Sequence, residues 1–170
     1  MAGGGHLLWL GIHYLDSVQY ITGDKVQQVC GFARNIGGQP IDVEDAAAVS
    51  LLFESGMVVT LHSGYYLDRD KQGQVVIWGS KGWLRFDGVA GTSLEWYSTA
   101  SGSPPGVQSF SYAAPDGPGS GLYASLVCAA VNAARGLGEA PVTGAECLHV
   151  LKSIFALYRA AETGLTQRVS

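Results

Sequence analysis

Residues 3–23 read GGGHLLWLGIHYLDSVQYITG, and the way this stretch is taken decides how the rest of the chain is arranged. Three glycines open it and Gly23 closes it, with apolar residues at helical spacing between them. The expectation is one amphipathic helix over residues 3–22. Leu7, Leu10, Tyr14, Val18 and Ile21 form an apolar stripe that should seek a core. His6, Trp9, His13, Asp16 and Tyr20 recur on a second face. Two histidines, a carboxylate and two aromatics on one side of a helix mark the place to expect a site. His6, nearest the terminus, is expected in solvent.

Downstream, residues 25–112 read as a sheet region. Lys25 to Arg34 alternates apolar and polar, as a strand does. Asn35 to Pro40 holds Gly-Gly and Pro and reads as a loop. Glu44 to Glu54 and Met57 to Tyr66 flank a Ser55-Gly56 tip, which predicts a hairpin. In its second arm Val58, Thr60, His62 and Gly64 share one face, and Val59, Leu61, Ser63 and Tyr65 the other. Gln74 to Trp78 and Trp83 to Phe86 predict a second hairpin about Gly79-Ser80-Lys81-Gly82. Ser93 to Tyr97 and Gln108 to Tyr112 continue it. Two helices follow within residues 121–163. The first is Ala-rich and read as core. The second opens on Thr143 with Glu146 three residues on, a capping-box pattern. Leu148, Leu151, Ile154, Phe155 and Tyr158 are expected to face inward, and Leu165 to Val169 to add an edge strand.

That order predicts an α+β class: an open, mostly antiparallel β-sheet with helices on one face, as a single domain over residues 3–170. The other sheet face would stay uncovered and carry Trp or Tyr, a surface suited to self-association. The chain's 170 residues suffice for a real core. Net charge is −4 with scattered cations, which argues against nucleic acid. No apolar run reaches the roughly twenty residues of a membrane span. With no basic leader at the N-terminus, a cytoplasmic protein is expected. The 3 cysteines lack metal or disulfide spacing and are expected reduced and buried. No glycine fingerprint follows a strand, so no nucleotide fold is expected in this chain.

Several segments together resemble one family. Gly3-Gly4-Gly5, Leu8, Gly11-Ile12-His13, Asp16 and Gly23 resemble the start of the C-terminal domain of the glucose–fructose oxidoreductase, inositol dehydrogenase and MocA (Gfo/Idh/MocA) family. Val43-Glu44-Asp45-Ala46-Ala47, then Leu52-Phe53-Glu54-Ser55-Gly56, continue the likeness. So do Ile77-Trp78-Gly79-Ser80-Lys81-Gly82 and Pro141-Val142-Thr143-Gly144. The resemblance implies a dihydrodipicolinate-reductase-like C-terminal domain that supplies the substrate pocket and subunit contacts. The whole protein would be an NAD(P)-dependent oxidoreductase of sugars, polyols or related carbonyl compounds. NAD or NADP would be bound mainly by an N-terminal Rossmann domain missing here, and none by this chain alone. A homo-oligomer through the open sheet face is implied as well.

The family's first helix carries Asp-x-Gly-x-His, whose two polar residues assist proton transfer. His13 falls on the histidine and is the catalytic candidate. Trp9 stands at the aspartate position, where an indole offers an N–H donor and a flat apolar face. Trp9 is a substrate-binding candidate that would stack on a sugar ring, and Asp16 one that would orient His13 or anchor backbone. Tyr65 and Arg69, where the long strand meets a charged loop, complete the substrate-binding set. His62 is expected to be a satisfied sheet histidine. The departure at Trp9 leaves a second reading open: a ligand-binding or assembly module without redox function.

Overall fold

The sharpest turn in the chain organises its first sheet. Strand β2 (Ala46–Phe53) ends where Gly56 N–H donates to Phe53 C=O at 3.0 Å, and β3 (Val58–Gly64) returns antiparallel. Strand β1 (Val26–Arg34) pairs antiparallel with the other edge of β2, with one irregularity between Val26 and Gln28. The two-residue strand β8 (Gln167–Arg168) closes the far edge of β1, so the order is β3-β2-β1-β8. In the computed structural model, residues 3–37, 40–65, 73–87, 93–111 and 122–169 are described. The chain divides into two compact units, residues 1–69 with 143–170, and residues 70–142.

In the first unit one sheet face is buried and one is open. Val26, Val29, Val49, Leu51 and Phe53 are buried, while Cys30, Phe32, Ala48, Val58 and His62 are exposed. Helix α3 (Gly144–Thr163) covers the buried face, packing on β1. It begins with the expected capping box, Thr143 and Glu146 bonding reciprocally. Val150, Ile154, Leu157, Ala160 and Ala161 are buried. Each large apolar side chain removed from water here contributes about 1.5–3 kcal/mol. The expected inward set is corrected: Leu148 and Phe155 are exposed, because the buried stripe of α3 runs through Val150, Ile154, Leu157 and Ala161 instead.

The second unit holds a meander in the order β4-β5-β6-β7. Its strands are β4 (Val75–Gly79), β5 (Gly82–Phe86), β6 (Ser93–Ser98) and β7 (Gln108–Ser111). The β4–β5 hairpin turns at Ser80-Lys81, as expected. Trp78, Trp83 and Tyr97 stand directly opposite one another across β4, β5 and β6. Arg85 and Glu95 form a cross-strand ion pair at 2.8 Å. Helix α2 (Leu122–Ala134) is exposed along nearly its whole described length, Tyr123, Leu126, Val127 and Val131 included. It is therefore no core helix. The α+β class with open antiparallel sheets holds, with the strands shared between two sheets instead of one. The open face of the first sheet carries Phe32 instead of Trp or Tyr. Cys30, Cys128 and Cys147 are free, as expected, but exposed instead of buried: Cys30 lies on the open sheet face, Cys128 on the exposed helix α2 and Cys147 in the exposed first turn of α3.

Candidate functional site

The first helix does not begin as an α-helix. Leu7–Gly11 form a π-helical turn in which Ile12 N–H donates to Leu7 C=O, and helix α1 (Ile12–Thr22) continues from it. A π turn inserts a residue and rotates everything after it. The core stripe is accordingly Leu7, Gly11, Leu15 and Val18; Leu10 and Tyr14 are half-buried and Ile21 is exposed. An added Cβ at Gly11 would stand 3.4 Å from Ser63 Oγ, an ordinary contact distance, so the helix lies directly against β3 at this point. Gly23 ends α1 in the left-handed conformation, its N–H on Gln19 C=O.

The helix start is held by two long-range polar anchors. Glu44 Oε1 accepts Leu7 N–H at 2.8 Å and the Tyr158 hydroxyl at 3.0 Å. The Tyr158 oxygen in turn accepts Gly5 N–H at 3.3 Å. Burial, together with the Glu44 charge, pushes the Tyr158 hydroxyl up to about 12, so it stays a neutral donor. Gly5 is a necessity: a Cβ there would come within 2.1 Å of Glu44 carbonyl and carboxylate oxygens. The neighbouring Asp45, fully buried, accepts Ile36 N–H and Gly37 N–H at 2.9 Å each. One carboxylate of the pair thus fixes the helix and the other the loop after β1.

With the start pinned, Trp9, His13, Asp16 and Tyr20 form one exposed stripe along the helix. Trp9 is 74% exposed, leaving its indole face free to stack. His13 and Asp16 form no ion pair with one another among the described residues. His6 leaves the stripe altogether. It is 7% exposed, contrary to the expectation of a solvated ring. Its Nδ1 lies 2.5 Å from Ser63 Oγ, and its ring meets Tyr65 edge-on at 4.8 Å. Burial holds its pKa below the ordinary value, against an upward pull from Glu44. Tyr65 is 48% exposed beside it, whereas Arg69 lies outside the described residues. His62, expected to be a satisfied sheet histidine, is exposed on the open sheet face across from Ala48.

Sequence reading overlooked Glu44 and Tyr158 as anchors, and Ser63 as the partner of His6. The one available signal was the adjacent Glu44-Asp45 pair ahead of an apolar strand, since carboxylates that near a core need partners. A cleft of about 390 Å³ opens beside these anchors, lined by Arg34, Asp42, Glu44, Phe155, Tyr158 and Glu162 among others.

The helix start does not fit a dinucleotide pyrophosphate. Such a group needs free N–H donors at a helix N-terminus. Here Gly5 and Leu7 N–H are already taken, and the acceptor on Leu7 is itself a carboxylate that would repel phosphate. Among the described residues no group of three or more His, Cys, Asp or Glu is placed to hold a metal ion. No described helix is long and apolar enough to cross a membrane.

The family described as GFO/IDH/MocA C-terminal domain matches residues 1–85. No curated protein gives a match. Among solved structures, the chain is similar to the aldose-aldose oxidoreductase from Caulobacter crescentus complexed with glycerol, at 26% identity and TM-score 0.79. That match covers 98% of this chain and 48% of the other. The WlbA dehydrogenase from Chromobacterium violaceum, in complex with NADH and UDP-GlcNAcA, is 26% identical with TM-score 0.75, over 98% of this chain and 46% of that one. An oxidoreductase domain protein from Kribbella flavida shares the fold at 24% identity and TM-score 0.84, covering 99% and 51%. The chain therefore spans about half the length of these solved structures.

Proposed function

The chain belongs to the GFO/IDH/MocA family through its C-terminal domain, and from that premise we propose that it is the substrate-side domain of an NAD(P)-dependent oxidoreductase. Its substrate would be a sugar, a polyol or a related carbonyl compound. The reading is carried by one observation: His13 stands on the exposed face of a helix whose start is anchored by Glu44 and Tyr158. A surface imidazole so fixed takes the hydroxyl proton when an alcohol is oxidised, and returns it when a carbonyl is reduced. Trp9, one turn earlier, offers a flat apolar face to a sugar ring, and Asp16 and Tyr65 offer polar groups to its hydroxyls. NAD or NADP belongs to a Rossmann half outside this chain, consistent with the occupied N–H groups at the helix start.

Support comes from similar proteins whose names speak of aldoses, or whose complexes hold NADH with a nucleotide sugar. Homo-oligomers would form through the open face of the first sheet, where Phe32 is 70% exposed beside Ala48. The test joins this chain to the Rossmann half of the Caulobacter crescentus relative and assays aldoses and polyols with NAD and NADP. Turnover is expected.

A second reading has one specific observation behind it. Trp9 replaces the family carboxylate four residues before His13, and Asp16 does not reach the ring in its place. A non-catalytic ligand-binding or assembly module would bind the same sugars in that two-domain protein and turn over none.

A further inference from the structure

The burial of His6 has a geometric cause. Ser63 Oγ lies 2.5 Å from His6 Nδ1 and 3.4 Å from where a Cβ on Gly11 would stand. Residues five apart point about 140° apart on a regular α-helix, so His6 and Gly11 could not both face Ser63 there. The π turn, closed by Ile12 N–H on Leu7 C=O, brings them to one side. The bond to Ser63 offsets the cost of burying the imidazole. Burial keeps the ring neutral in spite of the pull from the Glu44 charge. The same ring meets Tyr65 at 4.8 Å with the planes at 83°. Tyr65 lies one residue beyond β3, where the ladder with β2 has ended. Its backbone is held by its N–H on Asp45 C=O at 3.0 Å. Its side chain is half-exposed, and His6 is its one aromatic partner among the described residues.

We propose that His6 is a positioning residue for substrate: clamped by Ser63, its ring holds the Tyr65 side chain in the orientation that meets a sugar or polyol hydroxyl, a role that rests on the substrate reading proposed above. A half-exposed side chain with several rotamers loses entropy when a ligand fixes it. Contact with a ring that is already fixed removes part of that loss before the ligand arrives. An edge-to-face aromatic pair is strong enough to bias a rotamer severalfold. A phenylalanine at position 6 would also meet Tyr65, but it would leave Ser63 without its partner and its own ring unclamped. His6 lies within the helical turn closed by Trp9 N–H on Gly5 C=O at 3.0 Å. The Tyr65 phenol is thereby tied to the turn that presents Trp9.

Two measurements test it. One is the NMR spectrum of this chain carrying ¹³C-labelled tyrosine, with the Tyr65 ring signal assigned by its loss in Tyr65→Phe. The other is the calorimetric affinity of the two-domain protein, with its Caulobacter crescentus Rossmann half, for the aldose or polyol it binds best. Ser63→Ala keeps the imidazole but frees it, so the Tyr65 signal should shift and broaden and affinity fall about twofold. In His6→Ala the affinity should fall about fivefold. Adding His6→Ala to Tyr65→Ala should cost no affinity beyond Tyr65→Ala alone, which a general loosening of the fold would not reproduce. An unmoved Tyr65 signal in Ser63→Ala, unchanged affinity in His6→Ala, or full additivity in the double variant would overturn the positioning role. A parent that binds no sugar, with the Tyr65 signal still moved by Ser63→Ala, would overturn the substrate reading and with it the role assigned to His6.

Discussion

At the scale of single residues, the histidines separate by environment. His6 and His149 are both held below the ordinary value of 6.5, chiefly by burial, with Lys25 adding to the effect at His149. The folded state thus prefers both rings neutral. Below about pH 6.5 the unfolded chain binds more protons than the folded one, so stability must fall as pH falls through that value. Thermal melts between pH 7.5 and 5 are expected to show a declining Tm. His6→Gln should flatten the decline by removing one of the two groups; an unchanged slope would count against a neutral, buried His6. Its burial could not be read from the sequence. Position 6 sits near a terminus, and only the π turn and the Ser63 contact, 57 residues away, carry the ring inward.

At the scale of elements, local signals were legible and long-range ones were not. Ser55-Gly56 gives the β2–β3 turn and Thr143 with Glu146 gives the α3 cap, because each needs only neighbours in sequence. The stripe of the first helix was displaced by the π turn, whose backbone bonding leaves no mark in residue type. Glu44 reaches Leu7 and Tyr158 across 37 and 114 residues, beyond any periodicity. These anchors make separable predictions. Tyr158→Phe removes a donor to Glu44 and the acceptor for Gly5 N–H, and should cost about 1–3 kcal/mol in urea unfolding. Gly5→Ala drives a methyl into Glu44, which a flexible side chain can yield to but a backbone carbonyl cannot. Its loss should be the larger of the two, and a neutral Gly5→Ala would mean that the helix start is held otherwise. Thr143→Ala, at an exposed cap, should cost about 1 kcal/mol.

At the scale of the whole molecule, the order of elements disclosed the α+β class and the family, while the division into two sheets did not follow from it. Strands spaced alike along the chain carry no record of which edge they pair with. Exposure was equally hidden: α2 is apolar in sequence, as a core helix would be, yet it is exposed. Two predictions belong here. Calorimetric titration of this chain with NADH should give no measurable binding, since the N–H groups at its helix start are occupied; micromolar binding would contradict that assignment. Phe32→Glu, on the open sheet face, should shift sedimentation toward the monomer, whereas a parent that is already monomeric at high concentration would remove that surface as an interface.

In the proposed reaction His13 is the group that moves the proton. The decisive comparison is kcat in the two-domain protein with and without His13→Ala, measured on the best aldose or polyol. Loss of about 10²–10⁴-fold in kcat, with the fold and sugar binding retained, is the predicted result. A kcat within a few-fold of the parent would show that the exposed imidazole of this helix takes no part in the chemistry.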